Sequence, residues 1–171
     1  MIMQINIFSE NIYNSIELDE KKYIDIAREI LKYYISKPDI YELSCLNNQD
    51  YDTLSFDILY CDNVKTHQIN KEYRSKDYPA DIITFAIFAD TDENSSFIFD
   101  GEINLGEIII SLDGVREEAQ KAGKTKEQEL IFLISHGILH LLGFDHQTMN
   151  DYEFVVNLQN EAIKSLKLGE N

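Results

Sequence analysis

The chain has 171 residues, of which 44% are hydrophobic and 27% are charged, a balance that is typical of a folded protein and excludes a disordered one. This length suits one ordinary domain, and we predict a single domain over residues 1–171. With 15 Lys and Arg against 31 Asp and Glu, the net charge of −16 is opposite to the basic balance of most nucleic-acid-binding proteins.

The first part of the chain alternates predicted strands and helices. Residues 3–8 alternate loosely between polar and apolar side chains and predict an edge strand. From Asp19, a candidate N-cap, apolar residues recur at helical spacing, and the predicted helix stops before Pro38. A strand over residues 53–61 and a short helix over residues 63–74 follow.

The middle of the chain predicts two more strands and a helix. The apolar run 82–89 predicts a strand. Residues 90–101 are predicted to form a loop or hairpin, and residues 105–111 are predicted to form another strand. A helix is predicted from about 113 to 122, and it ends at Gly123 because glycine adopts the left-handed conformation that closes a helix.

The segment from Thr125 predicts the central helix of the protein. Thr125 and Gln128 have the spacing of a capping box at a helix start. From Leu130 onward the helix is apolar on most of its circumference, as is typical of a helix buried in the middle of a domain. Gly143 is expected to end it.

A last helix is predicted with Asn150 and Glu153 at its start. Its expected buried side chains are those of Tyr152, Val155, Val156, Ile163 and Leu166. Together these elements predict an α+β fold: a roughly four-stranded mixed sheet with four or five helices around the central buried helix.

Three of the four histidines lie in the window HGILHLLGFDH. His136 and His140 are one helical turn apart and project from one face, so both imidazoles reach a single ion. Gly143 permits the chain to turn back and bring His146 to the same ion. Three imidazoles suit zinc and leave a fourth position for water, although they also bind nickel, copper or iron. We therefore predict one zinc-type ion per chain, bound by His136, His140 and His146.

Two neighbouring positions leave alternatives open. The histidine and glycine spacing reproduces the HExxHxxGxxH pattern of metzincin-type metalloproteases, which indicates a zincin-like helix. Gly137 replaces the Glu that is their general base, so a metallopeptidase remains only an alternative. Asp145, a candidate catalytic residue, is the nearest carboxylate in sequence. It is expected to orient a histidine ligand, act as general base, cap the turn, or complete a structural zinc site.

The same window resembles HGxLHLxGYDH, the signature of the YbeY family of bacterial endoribonucleases, and differs only at Phe144. A second block, INKEYRSKDYPADIITF, is similar to the family's LNxxYRxxDxPTDVLSFP, with Ala80, Thr84 and Ala86 in place of Thr, Ser and Pro. A third, LGEIIIS, is similar to LGDIxIS, with Glu107 in place of Asp.

The resemblance implies an α+β fold, a metal held by the three motif histidines, and a cytoplasmic, single-strand-specific endoribonuclease. It also implies a role in maturation of ribosomal RNA, notably the 3′ end of the small-subunit RNA, and in ribosome quality control. Ribosomal RNA and the small subunit with its proteins are the implied partners. By position, the family's functional arginine is Arg74, whose guanidinium suits the scissile phosphate. Tyr73 is expected to stack on a base, and Lys71 and Lys76 to steer the RNA backbone.

A second alternative is a non-catalytic ribosome-assembly factor with a structural metal, since strong acidity suits docking on basic ribosomal proteins. No apolar run is long enough to span a membrane, and the start lacks the features of a secretory signal. Cys45 and Cys61 lie outside any CxxC pattern and are expected to be free thiols in a reducing cytosol. No oligomer is predicted.

Overall fold

The computed structural model of the chain describes residues 3–91, 97–144 and 152–166, without the side chains of residues 152–156 and 158. These ranges contain five strands and six helices in an α+β arrangement, one strand and one helix more than expected. The strands are β1 (Gln4–Asn11), β2 (Thr53–Cys61), β3 (Ile82–Phe85), β4 (Ile98–Phe99) and β5 (Glu102–Ser111). The helices are α1 (Glu20–Ile35), α2 (Pro38–Leu43), α3 (Asn63–Arg74), α4 (Leu112–Ala122), α5 (Lys126–Leu141) and α6 (Tyr152–Ser165).

All described strands belong to one mixed sheet with the order β1-β2-β5-β3, and β4 also pairs with β5. Strands β1, β2 and β5 are parallel, whereas β3 and β4 run antiparallel to β5. The predicted edge strand at the start of the chain is confirmed as β1. The opposite edge of the sheet is β3.

The strand predicted over residues 82–89 is too long, because β3 ends at Phe85. The Ile87 N–H donates to the Phe85 carbonyl at 3.0 Å, and the Asp90 N–H donates to the Ala86 carbonyl at 2.9 Å. These two turns bury the ring of Phe88 completely. An apolar run here contains a strand followed by a buried turn, and hydrophobicity alone does not separate the two.

Two short elements were not predicted. Helix α2 begins at Pro38, which lies in its first turn, where a missing backbone N–H costs nothing. The prediction used this proline only as the end of α1, which does stop at Ile35. Strand β4 is two residues long and lies within the segment expected to be a loop or hairpin.

The predicted helix boundaries with clear caps are confirmed. The Asp19 side chain accepts from the backbone N–H of Lys22 at the start of α1. Thr125 and Gln128 form a reciprocal capping box at the start of α5. Gly123 closes α4 with a φ of 67°. Each cap satisfies backbone groups that a helix end leaves without partners.

Helices cover the two faces of the sheet unequally. The main core lies between the sheet and α1, α5 and α6, and it includes Ile108 of β5 and Ala162 of α6. A smaller apolar cluster on the opposite face joins α3 to the sheet through Ile69, Cys61, Ile83 and Ile109. Helix α5 is buried along most of its length, as expected for the central helix.

Helix α6 is confirmed, and two of its expected core residues, Ile163 and Leu166, are partly buried against the main core. The structure does not describe Asn150 or the side chains of Tyr152, Val155 and Val156. Within the described ranges, no helix has both the length and the apolar character that crossing a membrane requires.

Candidate metal centre

Helix α5 brings His136 and His140 together on one face. Their Nε2 atoms are 2.9 Å apart, and the ring centroids are 4.5 Å apart with an angle of 64° between the planes. Both residues are partly buried, in a helix whose other side chains are mostly in the core. The predicted pair is therefore formed, with its two Nε2 atoms within hydrogen-bonding distance.

The geometry of this pair fits two ligands of one zinc ion. Zinc–nitrogen bonds of about 2.0–2.1 Å at a tetrahedral angle place two ligand nitrogens about 3.3 Å apart. The observed Nε2–Nε2 distance of 2.9 Å reaches this value with a small rotation of either ring. The third predicted ligand, His146, and the candidate Asp145 lie outside the described residues. Within those residues, no group of three or more His, Cys, Asp or Glu side chains is placed to bind an ion.

Gln159 of α6 is a site residue that sequence reasoning missed. Its side-chain amide nitrogen lies 2.8 Å from Nδ1 of His136, and the residue is only 1% exposed. Phe132, one turn before His136, stacks against the imidazole with a centroid distance of 6.4 Å. A signal was present in the sequence, because Gln159 is a polar residue among the apolar positions of a predicted amphipathic helix.

The end of α5 is tied to the segment after α2. Gly143 has a φ of 101°, and the Phe144 N–H donates to the Leu139 carbonyl at 3.0 Å. The Cys45 N–H donates to the Leu142 carbonyl at 2.9 Å, which fixes the point where the chain leaves the helix. Burial raises the pKa of the Cys45 thiol to about 12, so this sulfur stays protonated at neutral pH. Both cysteines are free thiols, as expected.

Gly137 packs directly on the sheet. A Cβ at this position would lie 2.9 Å from Cδ1 of Ile108 and 3.1 Å from its Cγ1 and Cγ2. Ile108 is fully buried, so any side chain at position 137 is directed into the core. The position that carries the general base in metzincin-type proteases is thus closed to a carboxylate in this fold.

Arg74 is the last residue of α3, on the other face of the sheet from the histidines. It is exposed and, among the described residues, makes no hydrogen bond or ion pair. Its neighbour Tyr73 is 66% exposed and packs edge-on against Phe85, with ring centroids 5.7 Å apart. Phe85 ends β3, and the chain then turns toward Ala89, which lies beside Gly143 at the end of α5. Arg74 and the histidine pair therefore approach the same end of the edge strand β3 from opposite faces.

The basic residues expected near Arg74 are exposed as well. Lys71 lies 4.0 Å from Asp77, and His67, the fourth histidine, contacts the same carboxylate at 2.7 Å. The His67 contact, followed by Lys71, lowers the pKa of Asp77. Lys76 is exposed in the turn that follows α3.

Two buried polar residues of α3, Asn70 of the second motif and Thr66 just before it, hold the connection from α3 to β3. Asn70 is 1% exposed and donates to the Tyr78 carbonyl at 2.9 Å, and Thr66 accepts from the Ala80 N–H at 3.3 Å. The Asp81 carbonyl accepts from the Ser111 N–H, and Gly114 leaves room for the Asp81 backbone. This part of the motif fixes the path of the backbone beside Arg74.

The arrangement as a whole defines an α+β protein whose central helix presents two converging imidazoles beneath the edge of a mixed sheet. Residues 8–167 match the sequence profile of the family described as Endoribonuclease YbeY. The match covers nearly the whole chain, and the chain belongs to the YbeY family.

Similarity to individual proteins agrees with this assignment. The chain is 33% identical to "Endoribonuclease YbeY" of Acetivibrio thermocellus over 98% of this chain and 100% of that one. It is 43% identical to the protein of the same name from Pediococcus pentosaceus, over 62% of this chain and 70% of that one. A Thermotoga maritima protein with a known solution structure has a TM-score of 0.54, at 21% identity, over 94% of this chain and 87% of its own. This last likeness shows the fold.

Proposed function

We propose that this chain is a metal-dependent endoribonuclease that cleaves single-stranded RNA during ribosomal RNA maturation. Membership of the YbeY family supports the reaction class, because relatives that cover the chain are named endoribonucleases. The observation that carries the proposal is the 2.9 Å approach of the His136 and His140 Nε2 atoms on the buried helix α5. Two imidazoles one helical turn apart on one helix face are the arrangement in which a single zinc-type ion binds both.

The proposed metal ligands are His136, His140 and His146, with zinc as the ion and nickel or another divalent metal as a substitute. When bound, such an ion supplies a polarised water and a Lewis acid for a phosphoryl oxygen. The protein contributes a rigid platform: α5 is capped at Thr125, packed on β5 at Gly137, and fixed at its end by the Cys45 backbone. A rigid platform holds ligand geometry more accurately than a loop does.

Arg74 is the proposed phosphate-binding residue. Its guanidinium is exposed and, within the described residues, is not engaged by a carboxylate, so its fork of N–H donors is available to an anion. Tyr73 beside it offers an exposed ring on which an RNA base can stack, and Lys71 and Lys76 add positive charge along the same turn. An RNA strand crossing the end of β3 would meet Arg74 on one side and the histidine pair on the other.

Asp145 is proposed as a carboxylate of the same site, either orienting a histidine ligand or taking a proton from the attacking group. It directly precedes the proposed ligand His146 in the sequence. Peptide hydrolysis by the metzincin scheme is not supported, because that scheme needs a carboxylate at position 137 and the glycine there faces Ile108.

The proposed substrate is ribosomal RNA, notably the 3′ end of the small-subunit RNA, and the proposed setting is the bacterial cytoplasm. The small subunit and its proteins are the proposed partners. The net charge of −16 opposes RNA binding in general, so contact with RNA is confined to local basic stretches such as residues 65–77. A partner surface that orients the RNA would compensate for the weak affinity of this acidic protein for RNA.

The test is cleavage of a 5′-labelled single-stranded fragment from the 3′ end of small-subunit ribosomal RNA. Purified protein is assayed as prepared, after chelator treatment, and after zinc is restored, with His136→Ala purified in parallel to reveal contaminating nucleases. We expect cleavage that is lost with chelator, returns with zinc, and is absent from the variant.

Cleavage that survives chelation, or that His136→Ala retains, contradicts a metal-dependent ribonuclease. If fully metallated protein cleaves neither free RNA nor RNA within small-subunit particles, the chain is instead an assembly factor with a structural metal. A casein assay on the same preparation tests the peptidase alternative, and we expect no proteolysis.

A further inference from the structure

The contact between Gln159 and His136 is a buried polar contact between two helices. The Gln159 amide nitrogen is 2.8 Å from His136 Nδ1, in a side chain that is 99% buried on α6. Its other amide atom, Oε1, is buried with no hydrogen-bond partner among the described residues. An amide in the core with one end on an imidazole and the other unsatisfied is costly, so its presence needs a reason.

The amide orientation sets the tautomer of His136. An amide nitrogen only donates, so in this orientation Nδ1 accepts and the ring proton lies on Nε2. That proton then accounts for the 2.9 Å approach to His140, as an Nε2–H donor facing the Nε2 lone pair of His140. In this tautomer the His136 Nε2 atom has no lone pair to offer a metal ion.

Rotation of the Gln159 side chain by 180° about its Cγ–Cδ bond exchanges the positions of the amide oxygen and the amide nitrogen. Oε1 then lies beside Nδ1 and accepts from an Nδ1–H group, which moves the ring proton away from Nε2. Oxygen and nitrogen have nearly the same size, so the exchange requires no repacking of the surrounding core. Metal-binding histidines commonly donate their second ring N–H to an oxygen acceptor in this way.

We propose that Gln159 is a positioning residue for the metal centre, and that its amide reverses when a metal ion binds. It donates to Nδ1 of His136 while the two histidines bond to each other, and it accepts from Nδ1–H when Nε2 faces the ion. This inference rests on the metal site of the proposed function. Glutamine suits the role because its amide both donates and accepts, whereas a carboxylate at neutral pH only accepts.

The first test is zinc affinity, measured by competition with a chromogenic chelator, for wild type, Gln159→Met and Gln159→Glu. Methionine has similar volume and no hydrogen-bonding amide, and we expect it to weaken zinc binding roughly 10- to 100-fold. Gln159→Glu keeps an oxygen acceptor beside Nδ1, and we expect its affinity to stay within about threefold of wild type. Asn160→Met, an exposed position on the same helix, is the matched control and should bind as wild type does.

The second test is the position of the His136 ring proton, read from long-range ¹H–¹⁵N correlations. Without zinc we expect the proton on Nε2 in wild type and on Nδ1 in Gln159→Glu, and with zinc on Nδ1 in both. Far-UV circular dichroism and the unfolding midpoint of the zinc-free variants check that each is folded. If Gln159→Met does not fold, Gln159→Asn, whose amide is one methylene shorter, replaces it.

Three results would overturn the proposal. The first is equal zinc affinity in wild type and a folded Gln159→Met or Gln159→Asn. The second is an equal loss in Gln159→Met and Gln159→Glu, which indicates packing rather than hydrogen bonding. The third is a wild-type ring proton on Nδ1 with or without zinc. Failure of the proposed function is distinct: wild type itself would then bind no zinc, or would bind zinc and cleave no RNA.

Discussion

Asp57 and Glu107 stand directly opposite each other on the neighbouring parallel strands β2 and β5. Both carboxylates face the side of the sheet that α3 covers only in part, where they line a shallow depression with Phe8 and Leu59. Burial, followed by the charge of Asp57, raises the pKa of Glu107 above its ordinary value. Like charges in directly opposed positions destabilise a sheet, so this pair opposes folding at neutral pH.

We expect Glu107→Gln to stabilise the protein at pH 7, by less than about 1 kcal/mol because the pair is partly solvated. A carboxyl whose pKa is raised by folding contributes stability that is fully present below its unfolded pKa and is lost as pH rises through the folded value. The gain from Glu107→Gln should therefore be present at pH 7 and shrink as pH falls toward the ordinary carboxyl range. Urea unfolding across this pH range measures it.

Asp57→Asn provides the matched control for that experiment. It removes the same repulsion from the other strand, so the double variant should gain less than the sum of the two single variants. Additive gains would show that the two carboxylates do not interact. A loss of stability at neutral pH in Glu107→Gln would contradict the unfavourable pairing.

Elements with strong local signals could be predicted from the sequence. Asp19, Gly123 and the Thr125–Gln128 box each satisfy backbone groups of one helix end, so nearby residues fix the boundary. Helix α3 is confirmed at its predicted bounds for the same reason, with Asp62 accepting from the Lys65 N–H. The predictions that were wrong concern features that depend on tertiary packing. Strand β3 ends early because Phe88 is buried by a turn, and β4 exists only through its pairing with β5.

In the candidate site, too, the features set by local spacing could be predicted and those set by tertiary packing could not. The placement of His136 and His140 on one face of α5 follows from helical spacing alone and is confirmed. Gln159 is 23 residues further along the chain, and its contact with His136 arises from the packing of α6 on α5, which no local pattern encodes. The placement of Arg74 across the edge strand from the histidines also requires the sheet order, which the sequence did not define.

We expect Gly137→Ala to destabilise the protein, because the new Cβ would meet Ile108 at 2.9 Å in a fully buried part of the core. Overpacking of this kind costs about 1–3 kcal/mol, and the better helix propensity of alanine offsets at most about 1 kcal/mol. A net loss on the order of 1 kcal/mol should appear in urea unfolding. Ile108→Val removes Cδ1, the nearest atom, so the double variant should recover part of the loss. Strictly additive effects would contradict the proposed contact.

We expect His140→Ala to lose zinc binding and, with it, the stabilisation that zinc gives to the folded state. At a zinc concentration about 100 times the dissociation constant, binding contributes about 2.7 kcal/mol, or roughly 5–10 °C in Tm for a chain of this length. Metal content and the Tm increase on adding zinc measure both effects. His67→Ala is the matched control, since His67 lies on α3 and pairs with Asp77. An unchanged zinc increment in His140→Ala would refute its assignment as a ligand.

We expect Arg74→Ala to lower the rate of RNA cleavage by roughly 100-fold or more, as the loss of a charged group that stabilises a transferring phosphoryl commonly does. Arg74 is exposed and, in the described ranges, makes no ion pair. Zinc content should therefore equal that of wild type, and the free energy of unfolding should stay within about 0.5 kcal/mol of the wild-type value. Arg28→Ala, at a surface arginine of α1 paired with Asp25, should cleave RNA normally. Single-turnover cleavage by the three proteins is measured at equal zinc occupancy. A full rate for Arg74→Ala would remove this arginine from the phosphate site. An equal loss of rate in Arg28→Ala would indicate a general effect of surface charge.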